Sequence, residues 1–356
     1  MTRLNHQVSM IIIHTVVLDT LAQSGTRKGV KAPVFVNGKG SEVTKDKVKQ
    51  GRAKRKTITQ KMVLGLIDLG KTENKETQPY WNTYHCQGKI ITSNGKAYGK
   101  YCKNRFCTLC CSIRKAEIIN KYMPVLEKWE DPYFVTLTIK AVPARQLNHY
   151  IKNGIIRGFK RIIAKHRKRG QRKTGIQVMG IRALECNFNP VKKTYNPHLH
   201  LIVPNKETAE LLLDNWLILW TRKHTNRAAQ YIRPVENKER DLIEIVKYGS
   251  KIFTEPDIIK KAGLKNGEGQ IYGAALENIF NAMKGHRIFE RFGFNLPKTT
   301  KPDLENYSML TEYENWEFDP QKSDWINSET GDSLSGYKLP PELRMLFEHR
   351  INTELE

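Results

Sequence analysis

The sequence predicts an α+β protein built on a ferredoxin-like βαββαβ antiparallel sheet, and three observations support this. First, YFVTLTIK at 133–140 is rich in β-branched and aromatic residues, the composition of a strand. Second, an amphipathic helical repeat follows, and two apolar runs come after it, separated by the turn-like NPVKKTYNP. Third, a helix, a strand and a helix complete the order β-α-β-β-α-β-α. That order is typical of two βαβ halves sharing one sheet, with helices packed on one of its faces.

Each element has its own signal. From Arg145 to about Lys168, apolar residues recur at helical spacing and lysines and arginines fill the other positions. GIQVMGIRALECNF and HLHLIV form a predicted hairpin centred near Val191 or Lys192. KETAELLLDNWLILWTRKH predicts the second helix, AAQYIRPV the next strand, and ERDLIEIVKYGSKIF the third helix.

The charge of the chain indicates a polyanionic partner. Its 356 residues carry a net charge of +24, although the segment from Lys301 to the C-terminus has 13 acidic against 5 basic residues. Such basicity suits nucleic acid, an acidic membrane surface or a ribosomal location. The apolar run VSMIIIHTVVL at 8–18 is too short to cross a bilayer and is followed by a poor cleavage site. We therefore expect a cytoplasmic protein with no membrane partner.

Composition divides the chain into four expected regions. Residues 1–79, rich in Gly, Lys and Arg, are expected to form a basic, partly disordered N-terminal arm. Residues 80–128 are expected to form a small Cys-rich zinc-binding module, and residues 129–296 hold the predicted sheet. Residues 297–356, acidic and rich in turn residues, are expected to be a flexible tail.

Two histidines lie two residues apart in NPHLHLIVP at 196–204. Strand alternation places His198 and His200 on one face and the intervening leucines on the other, toward the helices. The predicted hairpin register places Glu185 opposite or diagonal to the pair. Two imidazoles and a carboxylate suit Mn²⁺, Mg²⁺ or Zn²⁺ and leave coordination positions open for a phosphate oxygen. Alternatively, such histidines are ordinary sheet residues bonded to a carbonyl or to water.

The third predicted helix carries a candidate nucleophile. Glu244 and Tyr248 are four residues apart and Lys251 follows three later, so all three share one helix face. A tyrosine hydroxyl can attack phosphorus if a cation or metal stabilises its anion, and Lys251 would supply such a cation. Glu244 would serve as general base for a water or a second attacker. The alternative is an ordinary surface helix with a neighbouring carboxylate and hydroxyl.

These motifs resemble a known superfamily. NPHLHLIVP resembles the His-hydrophobic-His motif of the HUH endonucleases, IEIVKYGSK resembles their tyrosine motif, and FVTLTIK is similar to their first motif. The single Tyr248 one turn after Glu244 resembles specifically the plasmid rolling-circle replication initiators of the single-tyrosine type. GHRIFERFGF at 285–294 resembles a segment that follows the tyrosine helix in that group, and the resemblance covers about residues 100–295.

The resemblance implies that 129–296 is a nickase catalytic domain. It would make a site- and strand-specific nick in single-stranded or hairpin origin DNA with catalytic Mn²⁺ or Mg²⁺. The cut would leave Tyr248 joined to the 5′ phosphate and a free 3′ hydroxyl. The chain is expected to contain no phosphate-binding loop of a helicase, so a host helicase would unwind the duplex. The alternatives are a transposase or mobilisation relaxase of the same chemistry, or a non-catalytic zinc-containing nucleic-acid-binding protein.

Five of the six cysteines lie between Cys86 and Cys111, a distribution typical of metal ligands and not of a disulfide framework. A CxxC pair with two further thiols suits a structural Zn²⁺. The favoured ligands are Cys86, Cys102, Cys107 and Cys110, with His85 and Cys111 as spare candidates. The alternative is a set of reduced structural cysteines.

Two groups of basic residues are predicted to bind DNA backbone phosphates, which would make binding sensitive to salt without reading sequence. The group beside the cysteines is Arg105, Arg114 and Lys115. The group on the first long helix is Arg157, Lys160, Arg161, Lys165 and Arg167.

Overall fold

The structure, a computed structural model, describes residues 33–37, 40–72, 76–246, 271–296, 307–349 and 351–352. The helices in these ranges are α1 (Asp46–Thr72), α2 (Gln78–Tyr84), α3 (Thr108–Leu126), α4 (Ala144–His149), a π-helical segment (Tyr150–Ile156), α5 (Arg157–Gln171), α6 (Lys206–His224), a 3₁₀ turn (Arg227–Ala229), α7 (Lys238–Val246), α8 (Gly273–Met283) and α9 (Pro341–His349). The strands are β1 (Val34–Asn37), β2 (Ser41–Glu42), β3 (Lys89–Ser93), β4 (Lys96–Gly99), β5 (Tyr133–Thr138), β6 (Gly180–Asn189), β7 (Thr194–Val203), β8 (Tyr231–Pro234), β9 (Ile271–Tyr272), β10 (Phe289–Phe292), β11 (Tyr307–Leu310), β12 (Glu314–Asp319), β13 (Asp324–Asn327) and β14 (Ile351–Asn352). This mixture of helices and mainly antiparallel strands confirms the α+β class.

The central sheet has the strand order β10-β6-β7-β5-β8, and every neighbouring pair is antiparallel. Its first four strands in sequence, β5 to β8, are those that the sequence predicted. The β6–β7 hairpin pairs Asn189 with Thr194, so its turn falls at 190–193, where it was expected. The same register places Glu185 directly opposite His198.

The two faces of the central sheet are covered differently. On the leucine face, Phe159 and Ile162 of α5 pack with Leu199 and Leu201 in the main core. Helices α3 and α7 cover part of the histidine face, in a second core that joins Leu242 and Ile245 of α7 to Phe134, Ala183 and Ile202, with Tyr122 and Leu126 of α3. The expectation of helices on one face alone is therefore wrong. Where α3 and α7 lie, the sheet is therefore sandwiched between two layers of helices.

Gly154 lets α6 approach the π-helical segment closely. A Cβ added at Gly154 would lie 2.4 Å from the Trp220 Cη2 atom. We therefore expect Gly154→Ala to lower the free energy of unfolding by about 1–3 kcal/mol, the usual cost of overpacking, measured by urea denaturation. In the control Gly170→Ala, the added Cβ would meet only the Ile176 carbonyl oxygen, at 3.9 Å. The control should be neutral or gain up to about 1 kcal/mol in helix propensity. Equal stability of the two variants would contradict this account of the helix contact.

The prediction of a partly disordered N-terminal arm is wrong for residues 46–72, which form helix α1. Helix α1 buries Ile58, Met62 and Leu66, four residues apart, in the main core. The turns just before these positions carry Arg52, Lys54, Arg55 and Lys56, so the Lys- and Arg-rich composition of the segment hides the apolar repeat. Long basic side chains can bury their stems, as Lys56 does at 1% exposure.

The expected boundaries at 80–128 and 297–356 also differ from the structure. Strands β12 and β13 join β3, β4 and β2 in a five-stranded antiparallel sheet. Trp316, Phe318 and Trp325 form its core with Ile90 and Val43. Much of the segment 297–356, predicted to be a flexible tail, is therefore folded, and its strands share a sheet and an apolar core with strands of the predicted zinc-binding module.

Residues 65–72, GLIDLGKT, match the G-x-x-x-x-G-K-[ST] spacing of a phosphate-binding loop, contrary to the expectation that the chain lacks it. In the structure they form the last two turns of α1, and Leu66 and Leu69 are buried. Helical amides are committed to backbone carbonyls four residues earlier, so this segment does not form a phosphate cradle. In the described part of the chain, every helix is too short or too polar to cross a membrane.

Candidate metal centre and basic cleft

Glu185, His198 and His200 converge on the histidine face of the central sheet. Strand pairing sets Glu185 opposite His198, and alternation brings His200 to the same face. The Glu185 Oε2 atom lies 3.7 Å from His198 Nε2 and 3.4 Å from His200 Nε2. All three ligand atoms lie within 4.8 Å of one another. Glu185 and His198 are 3% and 6% exposed, so protein surrounds the site on most sides.

Neighbouring polar groups orient the two imidazoles. His198 Nδ1 donates to the Asn196 carbonyl oxygen at 2.9 Å, which leaves the Nε2 lone pair directed at Glu185. His200 Nδ1 lies 3.0 Å from Thr136 Oγ1. Thr138 Oγ1 donates to Asn196 Oδ1 at 2.8 Å. Sequence reasoning missed Thr136 and Asn196, although both stand inside the quoted motifs, because their role depends on strand pairing.

The donor set of this triad fits a divalent cation. Two imidazole nitrogens and one carboxylate are ligands that Mn²⁺, Mg²⁺ and Zn²⁺ accept, and three protein ligands leave positions for substrate oxygen and water. The Nε2 and Oε2 atoms already face one another at 3.4–3.7 Å, as atoms around a shared ion would. The residues present can therefore hold the metal that the sequence predicted.

Helix α7 lies over the same face and carries Glu244. Leu242 and Ile245 pack into the sheet core, and Glu244 is half-buried beside them. Arg233 of β8 anchors the helix, because its Nη1 donates to Asp241 Oδ2 at 2.7 Å and this hydrogen bond raises the pKa of Arg233. The sequence gave no reason to single out this ion pair. The two other residues predicted on this helix, Tyr248 and Lys251, lie outside the described residues.

The four predicted cysteine ligands come together in a second cluster. Their sulfur atoms lie within 4.8 Å of one another, with Cys110 Sγ 3.7 Å from Cys86 Sγ and 3.6 Å from Cys102 Sγ. Backbone amides point at the sulfurs, among them Lys103 N to Cys110 Sγ at 3.3 Å. Four sulfurs at this spacing suit tetrahedral Zn²⁺. The spare candidates have other contacts: Cys111 Sγ donates to the Arg105 carbonyl, and His85 stacks on Trp81.

A buried lysine lies beside the cysteine cluster. Lys56 Nζ donates to the Tyr84 carbonyl at 2.5 Å. Burial lowers the pKa of Lys56 to about 8, and the negative charges of Cys86, Cys107 and Cys102 oppose that shift. Hydrogen bonds from Cys107, Cys110 and Cys86 lower the pKa of Cys102. A cation at this position would offset part of the negative charge of four zinc-bound thiolates, a role that composition could not reveal.

The predicted DNA-binding residues fall on two different layers. Arg105, Arg114 and Lys115 line an open cleft of about 460 Å³ between α3, the end of α7 and β10. Among the residues that the structure describes, this basic cleft is lined by six cations and one carboxylate, Glu117; the cations are Lys103, Arg105, Arg114, Lys115, Lys121 and Arg287. The cations of α5 (Arg157, Lys160, Arg161, Lys165 and Arg167) are exposed on the helix that packs on the leucine face. They are therefore separated by the sheet from the triad.

Comparison with known proteins identifies the family. Residues 96–325, more than half of the chain, match the family model described as a replication protein. A Protein rep of Staphylococcus aureus is 33% identical over 169 residues, covering 42% of this chain and 69% of that protein. A Protein rep of Bacillus amyloliquefaciens is 28% identical over 132 residues, which cover 34% of this chain and 37% of that protein. A Protein rep of Streptococcus pneumoniae serotype 2 is 27% identical over 115 residues, which cover 30% of this chain and 34% of that protein. The chain thus spans about a third of the length of these two relatives, and no solved structure matches it. The chain belongs to the Rep family of replication proteins, the initiators of plasmid rolling-circle replication.

Proposed function

We propose that this Rep protein nicks and rejoins one strand of origin DNA in a metal-dependent reaction that passes through a 5′-phosphotyrosine at Tyr248. The observation that carries the proposal is the convergence of Glu185, His198 and His200 on one sheet face. The strand order β6-β7-β5-β8 within an antiparallel sheet supports a ferredoxin-like HUH core, since two split βαβ units produce that order.

Each residue of the proposed site has its own role in the reaction. A bound Mn²⁺ or Mg²⁺ would supply Lewis acidity toward the scissile phosphate. His198, His200 and Glu185 would hold this ion, and Thr136 and Asn196 keep the imidazoles aligned. The hydroxyl of Tyr248 loses its proton to water, Lys251 stabilises the resulting phenolate, and the phenolate oxygen attacks phosphorus. The bond from phosphorus to the 3′ oxygen breaks, and that oxygen takes up a proton to become the primer hydroxyl.

Rejoining reverses these steps. The phosphotyrosine bond conserves the energy of the phosphodiester, so a 3′ hydroxyl can attack it without ATP. Glu244, half-buried on α7, is the proposed base that activates a water or hydroxyl at this stage. The proposal extends to a cytoplasmic setting, a single-stranded or hairpin origin, and a host helicase that unwinds the duplex ahead of the primer.

The cysteine cluster has a structural role in the proposal. Zn²⁺ bound by Cys86, Cys102, Cys107 and Cys110 would tie the loop after α2 to the start of α3. Helix α3 packs on α7 through the second core and lines the basic cleft. Zinc would therefore hold the DNA-binding wall in place without entering the reaction.

Adduct formation tests the proposed reaction. Full-length protein incubated with a random pool of single-stranded DNA and Mn²⁺ should give a covalent adduct on a denaturing gel, and EDTA should prevent it. Tyr248→Phe should abolish the adduct while leaving DNA binding intact, and the control Tyr272→Phe should form it normally. Cleavage without any adduct would point to a hydrolase that uses water, and binding without cleavage would point to a non-catalytic DNA-binding protein.

A further inference from the structure

Helix α5 carries a dense positive surface on the side of the sheet away from the metal triad. None of residues 132–184 is acidic, whereas 13 of them are Lys or Arg. Seven of these cations lie on α5 and all seven are exposed: Arg157, Lys160, Arg161, Lys165, Arg167, Lys168 and Arg169. Like charges so close together repel one another, and a bound polyanion would relieve that repulsion.

One flank of α5 packs against α6. A Cβ added at Gly158 would lie 2.7 Å from Leu219 Cδ2. One and a half turns later, Lys165 Nζ donates to Asn215 Oδ1 at 3.2 Å. The two helices therefore run in opposite directions, so the end of α5 lies toward the start of α6, where Glu210 is exposed. Negative charge on this flank would repel phosphate.

The other flank of α5 faces the edge strand β10. Phe159 packs edge-on against Phe292 of β10, with ring centres 5.2 Å apart. Lys160 follows Phe159, and Arg167 lies seven residues further on, so helical spacing brings both side chains to the same side of the helix. This flank presents cations where the opposite flank meets a carboxylate.

His286, just before β10, joins this flank to the basic cleft. Burial lowers the pKa of His286, and four nearby cations lower it further: Lys152, Arg105, Lys160 and Arg182. Arg105 lines the cleft and Lys160 belongs to α5, so both groups of cations approach the same imidazole. The two predicted DNA-binding groups therefore meet around the β10 edge, although the sheet lies between them.

The carboxylate of β10 offsets only part of this charge. Glu290 is paired with Arg182 and lies 3.9 Å from Arg287 Nη1, so two cations share it. Arg182 is 3% exposed, and its Nη1 atom has no hydrogen-bond partner among the described residues. The β10 edge therefore keeps a net positive charge that continues from the cleft to α5.

We propose that double-stranded DNA binds along a basic band that begins in the cleft at Arg105 and Arg287, passes His286 at the β10 edge and follows Lys160 and Arg167 along α5. This binding is separate from the proposed nicking reaction, because the band leads away from the triad to the opposite layer of the protein. It depends only on membership of a family of replication proteins, which act on DNA.

The α5 part of the band suits a duplex better than a single strand. The exposed residues of this helix are cations and one glutamine, Gln171. Surfaces that hold unpaired bases instead combine cations with aromatic rings for stacking. The 15 residues of α5 span about 22 Å, along which a duplex presents roughly 13 phosphate charges. Contacts of this kind position a duplex without reading its sequence.

The salt dependence of duplex binding tests the band. The probe is a fluorescent duplex of unrelated sequence, long enough to span α5, titrated with full-length protein in EDTA at several salt concentrations. Lys160→Ala combined with Arg167→Ala should reduce the slope of log affinity against log salt by about 1.8, since each phosphate contact on B-DNA contributes about 0.9.

Arg169→Ala combined with Arg172→Ala is the matched control. Arg169 lies one turn after Lys165, on the α6 flank, and Arg172 follows at the end of the helix. This pair removes the same charge and should reduce the slope by less than half as much. All four substituted side chains are exposed, and thermal unfolding of both variants checks that they are folded.

Acetylation of lysines in the wild-type protein tests the same contacts without any variant. The duplex should protect Lys152 and Lys160 from acetic anhydride several-fold, as measured by mass spectrometry of the digested protein. Lys206, exposed at the start of α6, should remain as reactive as in the free protein.

Three outcomes would overturn the proposed band. They are an unchanged slope in the Lys160→Ala and Arg167→Ala variant, an equal change in the control pair, or unchanged acetylation of Lys152 and Lys160. An unchanged slope in a folded variant would point to an acidic protein surface as the partner of α5. Duplex binding through the band without any Mn²⁺-dependent adduct would refute the nicking reaction alone, and an adduct without duplex binding would refute the band alone.

Discussion

His198→Ala and His200→Ala should each lower the rate of Mn²⁺-dependent adduct formation by about 100-fold or more. A Lewis acid supplies several kcal/mol of transition-state stabilisation, and each 1.4 kcal/mol corresponds to about tenfold in rate. Removing one imidazole leaves only two protein ligands at a site where the Nε2 atoms now lie 3.4–3.7 Å from Glu185 Oε2. The rate is measured by quenching the reaction with denaturant and quantifying the adduct on a gel.

The controls for this prediction distinguish loss of metal binding from loss of the folded structure. His149→Ala removes an exposed histidine from α4, which packs on the leucine face, and should react at the wild-type rate. Glu185→Gln keeps the shape of the side chain but removes its charge, and should lose activity like the histidine variants. Normal activity in either histidine variant would exclude the triad as the reaction centre.

Cys107→Ser should release zinc and lower the thermal unfolding midpoint by roughly 10 °C or more. The free energy of binding a structural zinc, on the order of 10 kcal/mol, is part of the folding free energy, and a change of 1 kcal/mol shifts the midpoint by about 1 °C in a chain of this length. Cys107 is fully buried where α3 begins, so the loss should also loosen the α3 wall of the cleft. Metal analysis of freshly purified protein and calorimetry measure the two effects.

Cys111→Ser is the matched control for the zinc site. Cys111 is adjacent to a ligand and buried, but its Sγ donates to the Arg105 carbonyl at 2.7 Å, a bond that a serine hydroxyl can keep. This variant should retain its zinc and most of its stability. Wild-type protein purified without bound zinc, or a Cys107→Ser variant with unchanged metal content, would refute the assignment.

The convergence of Glu185, His198 and His200 could be predicted from sequence because the features that bring them together are local. His198 and His200 share a strand, and the short hairpin turn at 190–193 places Glu185 opposite them with little freedom of register. The four cysteines also lie within one short segment. Alternation along a strand and the spacing of ligands were enough to predict which atoms meet.

The features that the sequence did not predict depend on distant pairing. Strand β12 pairs with β3 across more than two hundred residues, as Trp316 opposite Ile90 shows, and composition alone suggested a tail. In α1 the apolar repeat follows a run of cations, one of which, Lys56, is itself buried, and composition alone suggested a solvated arm. The edge pairing of β10 with β6 joins segments more than a hundred residues apart, so it too appears only when the strand order is known.

Pulsed electron paramagnetic resonance of Mn²⁺ bound to the full-length protein tests the central claim, a divalent metal centre at Glu185, His198 and His200. The wild-type spectrum should show coupling to two imidazole nitrogens, His198→Ala should show one, and the double variant should show none. Mn²⁺ bound without nitrogen coupling, or coupling that persists in the double variant, would place the ion elsewhere and contradict the account.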